Sequence, residues 1–386
     1  MTVRRWTGLV MGPMLCVVVS CSLDPKPDAD VDPDRAGETG TTSPEPDTAD
    51  DSGEDSADPG DSEILTAEAV RAAGAHPVGA RTESFVLRGG ASTQLEVWFP
   101  AASADGELHS YRTGDFAFTG GALGGVAPDC AESRPVVVHS HGNGSIRWET
   151  LWLSEHLASH GWVVLAVDHA GNTFEDGSAD YSDLLSRRPT DVADSFDWLL
   201  EQSANTESDL YGCIDPDAGY AVSGYSFGGY TAYVVGGALV DDASGTPALS
   251  FADPRAQAVV ALAPWTAGVL STGTSAVSVP ALTIGAERDQ TVGRQYLRLH
   301  TNLTVVPRVL GIYPDAGHFS VTPIYCDFGT FGDGCGDGWV SLDTFVETAR
   351  GAIAAWLYEV QRDQSARAAF DAVDGIVTWE LEDSAP

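Results

Sequence analysis

A serine flanked by glycines, in the segment Gly224-Tyr225-Ser226-Phe227-Gly228, has the spacing of a nucleophile elbow. A nucleophilic serine must project from a tight turn. Side chains two residues away would meet the neighbouring strand and helix, which favours glycine there. The turn also places Ser226 at the start of a helix, where free N–H groups and the helix dipole favour an anion. The pattern predicts covalent chemistry at Ser226, although a Gly/Ser turn before an ordinary helix would give the same five residues.

Three other segments, one before Ser226 and two after it, could complete such a site. Each follows an apolar run typical of a buried strand. The loop 141–144, His-Gly-Asn-Gly, has small residues whose N–H groups could face an oxyanion, although an ordinary turn is the alternative. Asp289 could orient a histidine, and Glu287 is a close competitor. Of the two histidines after Asp289, His300 lies on an ordinary helix face and is expected to be solvated. His318 is therefore the candidate base, in the chain order Ser, Asp, His.

The elements that would position these residues alternate along the chain. Gly89-Gly90 separates the first two predicted strands and suits a hairpin turn. Thr190 is the expected N-cap of a helix over 190–201. The predicted strands cover 83–87, 95–99, 135–139, 162–167, 258–262, 279–284 and 308–313, and the stretch 220–230 is predicted to be a short strand, a turn and the start of a helix. The other helices cover 146–160 and 344–360. This alternation predicts an α/β fold with a mostly parallel central sheet and helices on both faces. The carboxyl ends of the strands would then gather the candidate residues.

Composition restricts the possible partners. The chain has 386 residues and a formal net charge of -36, and its only lysine is Lys26. Such a field repels nucleic acid and anionic membrane surfaces, so neither is an expected partner. A soluble, salt-tolerant surface is the simplest interpretation of the charge.

The N-terminal region resembles an export signal. Arg4 and Arg5 precede a short apolar segment, and the run that ends at Cys21 resembles a lipoprotein cleavage site. We expect a lipoprotein-type signal peptide at residues 1–20, a lipid-modified Cys21, a disordered acidic Pro/Ser/Thr-rich tether at 21–63 and a catalytic domain at 64–386. Membrane attachment would then occur only through the lipid anchor, in an envelope-anchored or secreted protein. An ordinary secretory signal with an incidental Cys21 is the alternative.

Four cysteines remain in the expected mature domain. An even number in an exported protein suggests two disulfides. Cys326 with Cys335 is the local pairing, which leaves Cys130 with Cys213, although spacing alone does not fix the connectivity. No CxxC motif or His/Cys cluster indicates a metal site, and no cofactor is expected.

The motifs together resemble the α/β-hydrolase superfamily. More narrowly, the chain is similar to the group of dienelactone hydrolase-like proteins, platelet-activating-factor acetylhydrolase-like esterases and bacterial polyester hydrolases. The similarity runs from about residue 80 to about residue 360. The matching segments are 97–100, 139–142, 157–164, 168–172, 224–230, 262–265, 279–282, 285–289 and 317–319.

The resemblance implies a role for each candidate residue. Ser226 would be the nucleophile, His318 the base and Asp289 the acid. The backbone N–H groups of Phe227 and Asn143 would form the oxyanion hole. The implied activity is carboxylic-ester hydrolysis through an acyl-enzyme, by a monomer that acts on small or polymeric esters.

Four residues are candidates for substrate contact. Trp265 matches an aromatic residue that flanks the site of polyester hydrolases. Trp148 could wall the pocket or pack in the core, and His141 could line the pocket or serve as a structural hydrogen-bonding group. Tyr225 stands where many relatives have histidine. The His-Gly loop fits the esterase branch better, so polyester hydrolase or lipase activity is the alternative, followed by a catalytically dead binding protein or a peptidase.

Overall fold

The central element is a sheet whose parallel strands alternate along the chain with helices. The computed structural model describes residues 64–327 and 332–384; the signal peptide, Cys21 and the tether predicted for residues 1–63 lie outside them. The strands are β1 (Val78–Val86), β2 (Ser92–Pro100), β3 (Glu107–Thr113), β4 (Phe116–Gly124), β5 (Val136–Ser140), β6 (Val163–Val167), β7 (Tyr220–Tyr225), β8 (Val240–Asp241), β9 (Pro247–Leu249), β10 (Ala256–Leu262), β11 (Ala281–Ala286), β12 (Arg308–Tyr313) and β13 (Thr378–Glu382). The helices are α1 (Ala67–Arg71), α2 (Leu151–Ser159), α3 (Tyr181–Ala204), α4 (Phe227–Val235), α5 (Gln295–Thr301), α6 (Pro323–Asp327) and α7 (Leu342–Arg362).

Eleven of these strands form one sheet in the order β13-β12-β11-β10-β7-β5-β6-β2-β1-β4-β3. The strands from β12 to β6 in this order are parallel to one another. Antiparallel strands extend the sheet on both sides, with β13 next to β12 and β2 next to β6. The predicted fold class, a mostly parallel sheet flanked by helices, is confirmed.

The parallel strands are buried because helices cover both faces of the sheet. Every residue of β5, β6, β7 and β11 is buried, which explains why these strands read as continuous apolar runs in the sequence. Side chains that alternate along the strands divide into two apolar clusters, one on each face. Helices α2 and α7 pack on one face, and α3 and α4 pack on the other.

The predicted start of helix α3 was wrong. The helix begins at Tyr181, so Thr190 lies inside it and is not its N-cap. Threonine is a common N-cap residue, but here the helix continues through Pro189 and past Thr190. Proline is rare in a helix interior, where it removes an N–H donor. Here the Tyr230 hydroxyl donates to the carbonyl of Leu185, four residues before the proline, at 3.0 Å. A tertiary hydrogen bond therefore replaces the missing intrahelical one.

Helix α2 is also shorter than the predicted span of 146–160, because it begins at Leu151. The preceding residues form turns whose polar groups are used elsewhere. The Arg147 N–H donates to Asp168 Oδ1 at 3.0 Å, and the Gly142 N–H donates to the Glu149 carboxylate. These contacts hold residues 146–150 against the loop 141–144 and against the end of β6.

Two disulfides lie in the described residues, Cys130–Cys213 and Cys326–Cys335. The first links the segment before β5 to the segment before β7. The second links α6 to the segment that follows it. Among the described helices, none combines the length and apolar character that a membrane span requires.

Candidate active site

Ser226 lies on the sharp turn between β7 and α4, at the carboxyl end of the parallel sheet. Its φ of 54° is in the left-handed region, which a non-glycine residue adopts only under backbone strain. A Cβ on Gly224 would lie 2.1 Å from the carbonyl oxygen of Gly228, and one on Gly228 would lie 1.7 Å from that of Ser140. Glycine is therefore required at both flanking positions, and the turn presents the Ser226 hydroxyl away from its own backbone.

His318 and Asp289 converge on this hydroxyl. His318 follows β12, and its Nε2 lies 3.0 Å from the Ser226 Oγ. Its Nδ1 lies 2.6 Å from Asp289 Oδ2. A carboxylate accepts and does not donate, so Nδ1 carries the proton and Nε2 is free to accept the serine proton. The three groups therefore form one hydrogen-bonded chain.

The acid is held by its own loop. Asp289 Oδ1 accepts the N–H groups of Thr291 (2.9 Å) and Val292 (2.8 Å), which leaves Oδ2 directed at the histidine. Glu287, the competing candidate, accepts the Tyr296 hydroxyl at 2.8 Å and pairs with Arg294. The structure thus brings Asp289, rather than Glu287, to His318.

Buried charges clamp the loop 141–144 from two sides. The Glu149 carboxylate accepts the Gly142 N–H at 2.8 Å, and the Arg188 guanidinium donates to the carbonyl of His141. Both contacts are on the same peptide group, which fixes its orientation. The Asn143 side chain accepts a hydrogen bond from Asn172 at 2.9 Å. The loop is thus held in a single conformation next to Ser226.

Arg188 also packs against Phe227, the second residue predicted to form the oxyanion hole. The Arg188 side chain is fully buried, and its guanidinium lies 4.4 Å from the centroid of the Phe227 ring. Burial lowers the pKa of Arg188 to about 9. Burial and the charge of Arg188 hold the pKa of His141 well below its ordinary value, so that imidazole is neutral. Sequence reasoning missed Arg188 and Glu149, and no local motif marks either of them.

Trp265 lies beside the nucleophile. Its backbone N–H donates to the Ser226 carbonyl at 3.0 Å. Its ring is 5.3 Å from the Phe227 ring and 5.8 Å from the Tyr181 ring, centroid to centroid. Tyr181 is 42% exposed and its hydroxyl donates to the Ala267 carbonyl. A partly exposed aromatic surface therefore adjoins Ser226.

The other three residues predicted for substrate contact are inside the protein. Trp148 is 1% exposed and packs against Tyr111 and Phe118. The His141 ring is buried, with Nδ1 directed at the Gly142 carbonyl and Nε2 accepting the His169 N–H. The Tyr225 hydroxyl donates to the His318 carbonyl, and its ring packs on the His318 ring. All three side chains are buried, and Tyr225 packs directly against the catalytic candidate His318.

One further expectation was wrong. His300 is buried, not solvated, and its Nδ1 lies 3.0 Å from the Thr283 hydroxyl. Helix α5 turns this side chain towards the sheet instead of towards solvent. Within the described residues, no group of three or more His, Cys, Asp or Glu side chains could hold a metal ion.

Sequence comparisons find similarity to PET hydrolase-like proteins and to cutinases. The PETase family model, described as PET hydrolase-like, matches residues 118–297, a range that includes Ser226 and Asp289 and ends before His318. Cutinase 2 of Thermobifida cellulosilytica is 28% identical over 183 residues, which are 47% of this chain and 58% of that protein. Cutinase cut1 of Thermobifida fusca is also 28% identical, over 47% of each chain. The chain thus spans about half the length of the curated relatives it matches.

A solved structure supports the fold over a longer range. A ferulic acid esterase from Streptomyces cinnamoneus superposes with a TM-score of 0.59 and 20% sequence identity, covering 78% of this chain and 96% of that one. The superposition and the sheet topology show that the chain has an α/β-hydrolase fold. In sequence, the chain is similar to PET hydrolase-like proteins and to cutinases.

Proposed function

We propose that the protein is a serine carboxylic-ester hydrolase in which Ser226 is the nucleophile, His318 the base and Asp289 the acid. The observation that carries the proposal is the hydrogen-bonded chain from the Ser226 hydroxyl through His318 to Asp289. The cutinase relatives and the PET hydrolase-like match support the same class of reaction. The residues 64–386 would form the catalytic domain.

In this mechanism His318 Nε2 takes the proton of Ser226 as the hydroxyl oxygen attacks the ester carbonyl. Asp289 keeps the proton on Nδ1 and stabilises the imidazolium that forms. The protonated histidine then gives its proton to the departing alcohol. Water activated by the same histidine then attacks the acyl-enzyme. The carboxylic acid leaves, and the Ser226 hydroxyl is regenerated.

The oxyanion would be stabilised by the backbone N–H groups of Phe227 and Asn143. Phe227 is the first residue of α4, where an N–H has no partner within its own helix. Asn143 lies on the loop that Glu149 and Arg188 clamp. A rigid pair of donors requires no reorganisation as the charge develops, which is the main source of rate enhancement in such sites.

Two observations favour a second candidate, the hydrolysis of polyesters. The matched family model is PET hydrolase-like, and Trp265 with Tyr181 forms a partly exposed aromatic surface next to Ser226. Such a surface could bind the repeating units of a polymer. A dienelactone hydrolase-like or platelet-activating-factor acetylhydrolase-like esterase is the alternative that the His-Gly loop supports.

Replacement of Ser226 by alanine tests the reaction. Hydrolysis of p-nitrophenyl acetate is expected to fall by about 10⁴-fold or more, because the acyl-enzyme can no longer form. Ser186→Ala, on helix α3, is the control and should keep the wild-type rate. Full activity of Ser226→Ala would refute the proposal, and an inactive wild-type protein would favour a binding role.

A substrate panel separates the candidates. Release of soluble products from a polyester film at rates comparable with short p-nitrophenyl esters would support the polymer-degrading activity. Turnover restricted to lactones or to oxidised phospholipids would support the other esterase groups. Trp265→Ala should lower polyester hydrolysis more than p-nitrophenyl acetate hydrolysis, because the small ester does not need the aromatic surface.

We also propose export and lipid attachment. The two disulfides are consistent with an oxidising compartment outside the cytosol. Acylation of Cys21 would anchor the tether at 21–63 to a membrane. Labelling with radioactive palmitate that is lost in Cys21→Ala would support the anchor, and equal labelling of both proteins would contradict it.

A further inference from the structure

A second buried carboxylate lies close to Ser226, His318 and Asp289 but is not part of the hydrogen-bonded chain that these three side chains form. Asp333 is 9% exposed and lies 15 positions after His318 in the sequence. Its side-chain partners are two backbone N–H groups and one hydroxyl. Burial of a carboxylate is unfavourable unless such donors satisfy it, so the position of Asp333 depends on the loops that supply them.

The two oxygens of Asp333 bind two different loops. Oδ1 accepts the His318 N–H at 3.1 Å. Oδ2 accepts the Gln290 N–H and the Thr291 hydroxyl, each at 2.8 Å. Gln290 and Thr291 belong to the acid loop, residues 289–292, and His318 belongs to the histidine loop, residues 315–320. One carboxylate therefore joins the loop of the acid to the loop of the base.

Other links between the loops lie nearer the strands. The Glu287 N–H donates to the Tyr313 carbonyl at 3.0 Å, and the Arg288 N–H donates to the Ala316 carbonyl at 3.1 Å. These contacts align the ends of β11 and β12. Asp333 instead binds His318 itself and the two residues that follow Asp289.

Asp333 is itself held in place. Its carbonyl accepts the Phe319 N–H at 2.8 Å, and Cys335, two residues later, is bonded to Cys326 on α6. A Cβ at Gly317 would lie 2.4 Å from Asp333 Oδ1, so glycine there permits the close approach. The carboxylate is thus fixed to the histidine loop through both main-chain and side-chain contacts.

We propose that Asp333 is a positioning residue that sets the hydrogen bond between Asp289 and His318 by joining their loops. The inference rests on the proposed function, since it assigns Asp333 a part in that reaction. The bond it controls is the 2.6 Å contact between His318 Nδ1 and Asp289 Oδ2. A displacement of about 1 Å in a catalytic group can lower the rate about 100-fold, so a small shift of either loop is sufficient.

Steady-state kinetics tests the role. Asp333→Ala should lower kcat about 10- to 100-fold with little change in KM, because substrate binding does not involve either loop contact. Asp333→Asn keeps one acceptor oxygen and should give an intermediate kcat. Asp241→Ala is the matched control: Asp241 likewise accepts an N–H and a hydroxyl, both from Ser271, but outside the two loops. An unchanged kcat in Asp333→Ala would refute the proposal.

Thr291→Val provides a milder test that removes only one hydrogen bond to Asp333. Its kcat loss should be smaller than that of Asp333→Ala. The double variant should be no slower than Asp333→Ala alone, since both changes act on one contact. Fully additive losses would contradict the proposal. If Asp333→Ala does not fold, Thr291→Val and Asp333→Asn decide the question.

A spectroscopic measurement separates this inference from the proposed function. The far-downfield proton resonance of His318 Nδ1 reports the bond to Asp289 without any turnover, and Ser226→Ala is a suitable background. The resonance should persist with Asp241→Ala and be lost or broadened with Asp333→Ala. If the wild-type protein proved inactive on every ester, the proposed function would fail, whereas an unchanged resonance in Asp333→Ala would reject the positioning role alone.

Discussion

Asp289 and Glu287 lie two residues apart after the same strand, yet only one reaches the histidine. The difference lies in their partners. Asp289 is fixed by two N–H groups of its own loop and directs its second oxygen at His318. Glu287 is occupied by Tyr296 and Arg294. The sequence left both carboxylates open, because a two-residue shift after a strand does not determine which side chain turns inward.

Replacement of each acid by its amide checks this assignment. Asp289→Asn should lower kcat on p-nitrophenyl acetate about 10³- to 10⁴-fold, because an amide no longer holds the proton on His318 Nδ1 in the required tautomer. Glu287→Gln should change kcat little. A larger loss in Glu287→Gln than in Asp289→Asn would contradict the assignment.

At the level of elements, the strands that carry the site were predictable. Strands β5, β6, β7, β10, β11 and β12 are buried on both faces and therefore appear as apolar runs, within a few residues of their observed bounds. Strands towards the two ends of the sheet, such as β4 and the edge strand β13, are different. Residues of β4 alternate between partly buried and exposed, and β13 carries acidic residues, so neither has a clear strand pattern.

The residues of the site also fall into two groups, those that the sequence could identify and those that it could not. Ser226, Asp289 and His318 could be selected because each follows a recognisable strand in a recognisable order. Arg188, Glu149 and Asp333 could not, because their roles depend on which distant backbone groups they meet after folding. Asp333, for example, binds a residue 43 positions earlier in the chain.

Helix α3 shows how tertiary contacts override local preference. Pro189 interrupts the helix ladder, and the Tyr230 hydroxyl satisfies the carbonyl that the proline leaves without a donor. Tyr230→Phe should therefore lower the free energy of unfolding by about 1 kcal/mol, because a partly buried carbonyl loses its partner. Urea unfolding measures this change, with the exposed Tyr211→Phe as the control. An equal midpoint for both variants would refute the explanation.

At the scale of the whole molecule, the buried histidines contribute to the dependence of stability on pH. Burial lowers the pKa of His156 to about 3 and that of His300 to about 4, from an ordinary value of 6.5. Below pH 6.5 the unfolded chain binds protons at these residues while the folded protein does not. Unfolding then takes up protons, so stability decreases as the pH falls from 6.5 towards 4.

Each fully shifted histidine contributes a slope of about 1.4 kcal/mol per pH unit in this window. His300→Gln should reduce the slope of the unfolding free energy between pH 4.5 and pH 6 by about that amount. Thr301→Ser, an exposed neighbour without a titratable group, should leave the slope unchanged. The interpretation fails if His300→Gln retains the full wild-type slope.

The fold brings three distant segments to one edge of the sheet, and the central claim is that Ser226 is the reactive nucleophile there. A fluorophosphonate probe followed by peptide mass spectrometry measures this directly. The expected result is a single adduct on Ser226 that is absent in Ser226→Ala and strongly slowed in His318→Ala. An unlabelled protein, or an adduct on a different serine, would contradict the account.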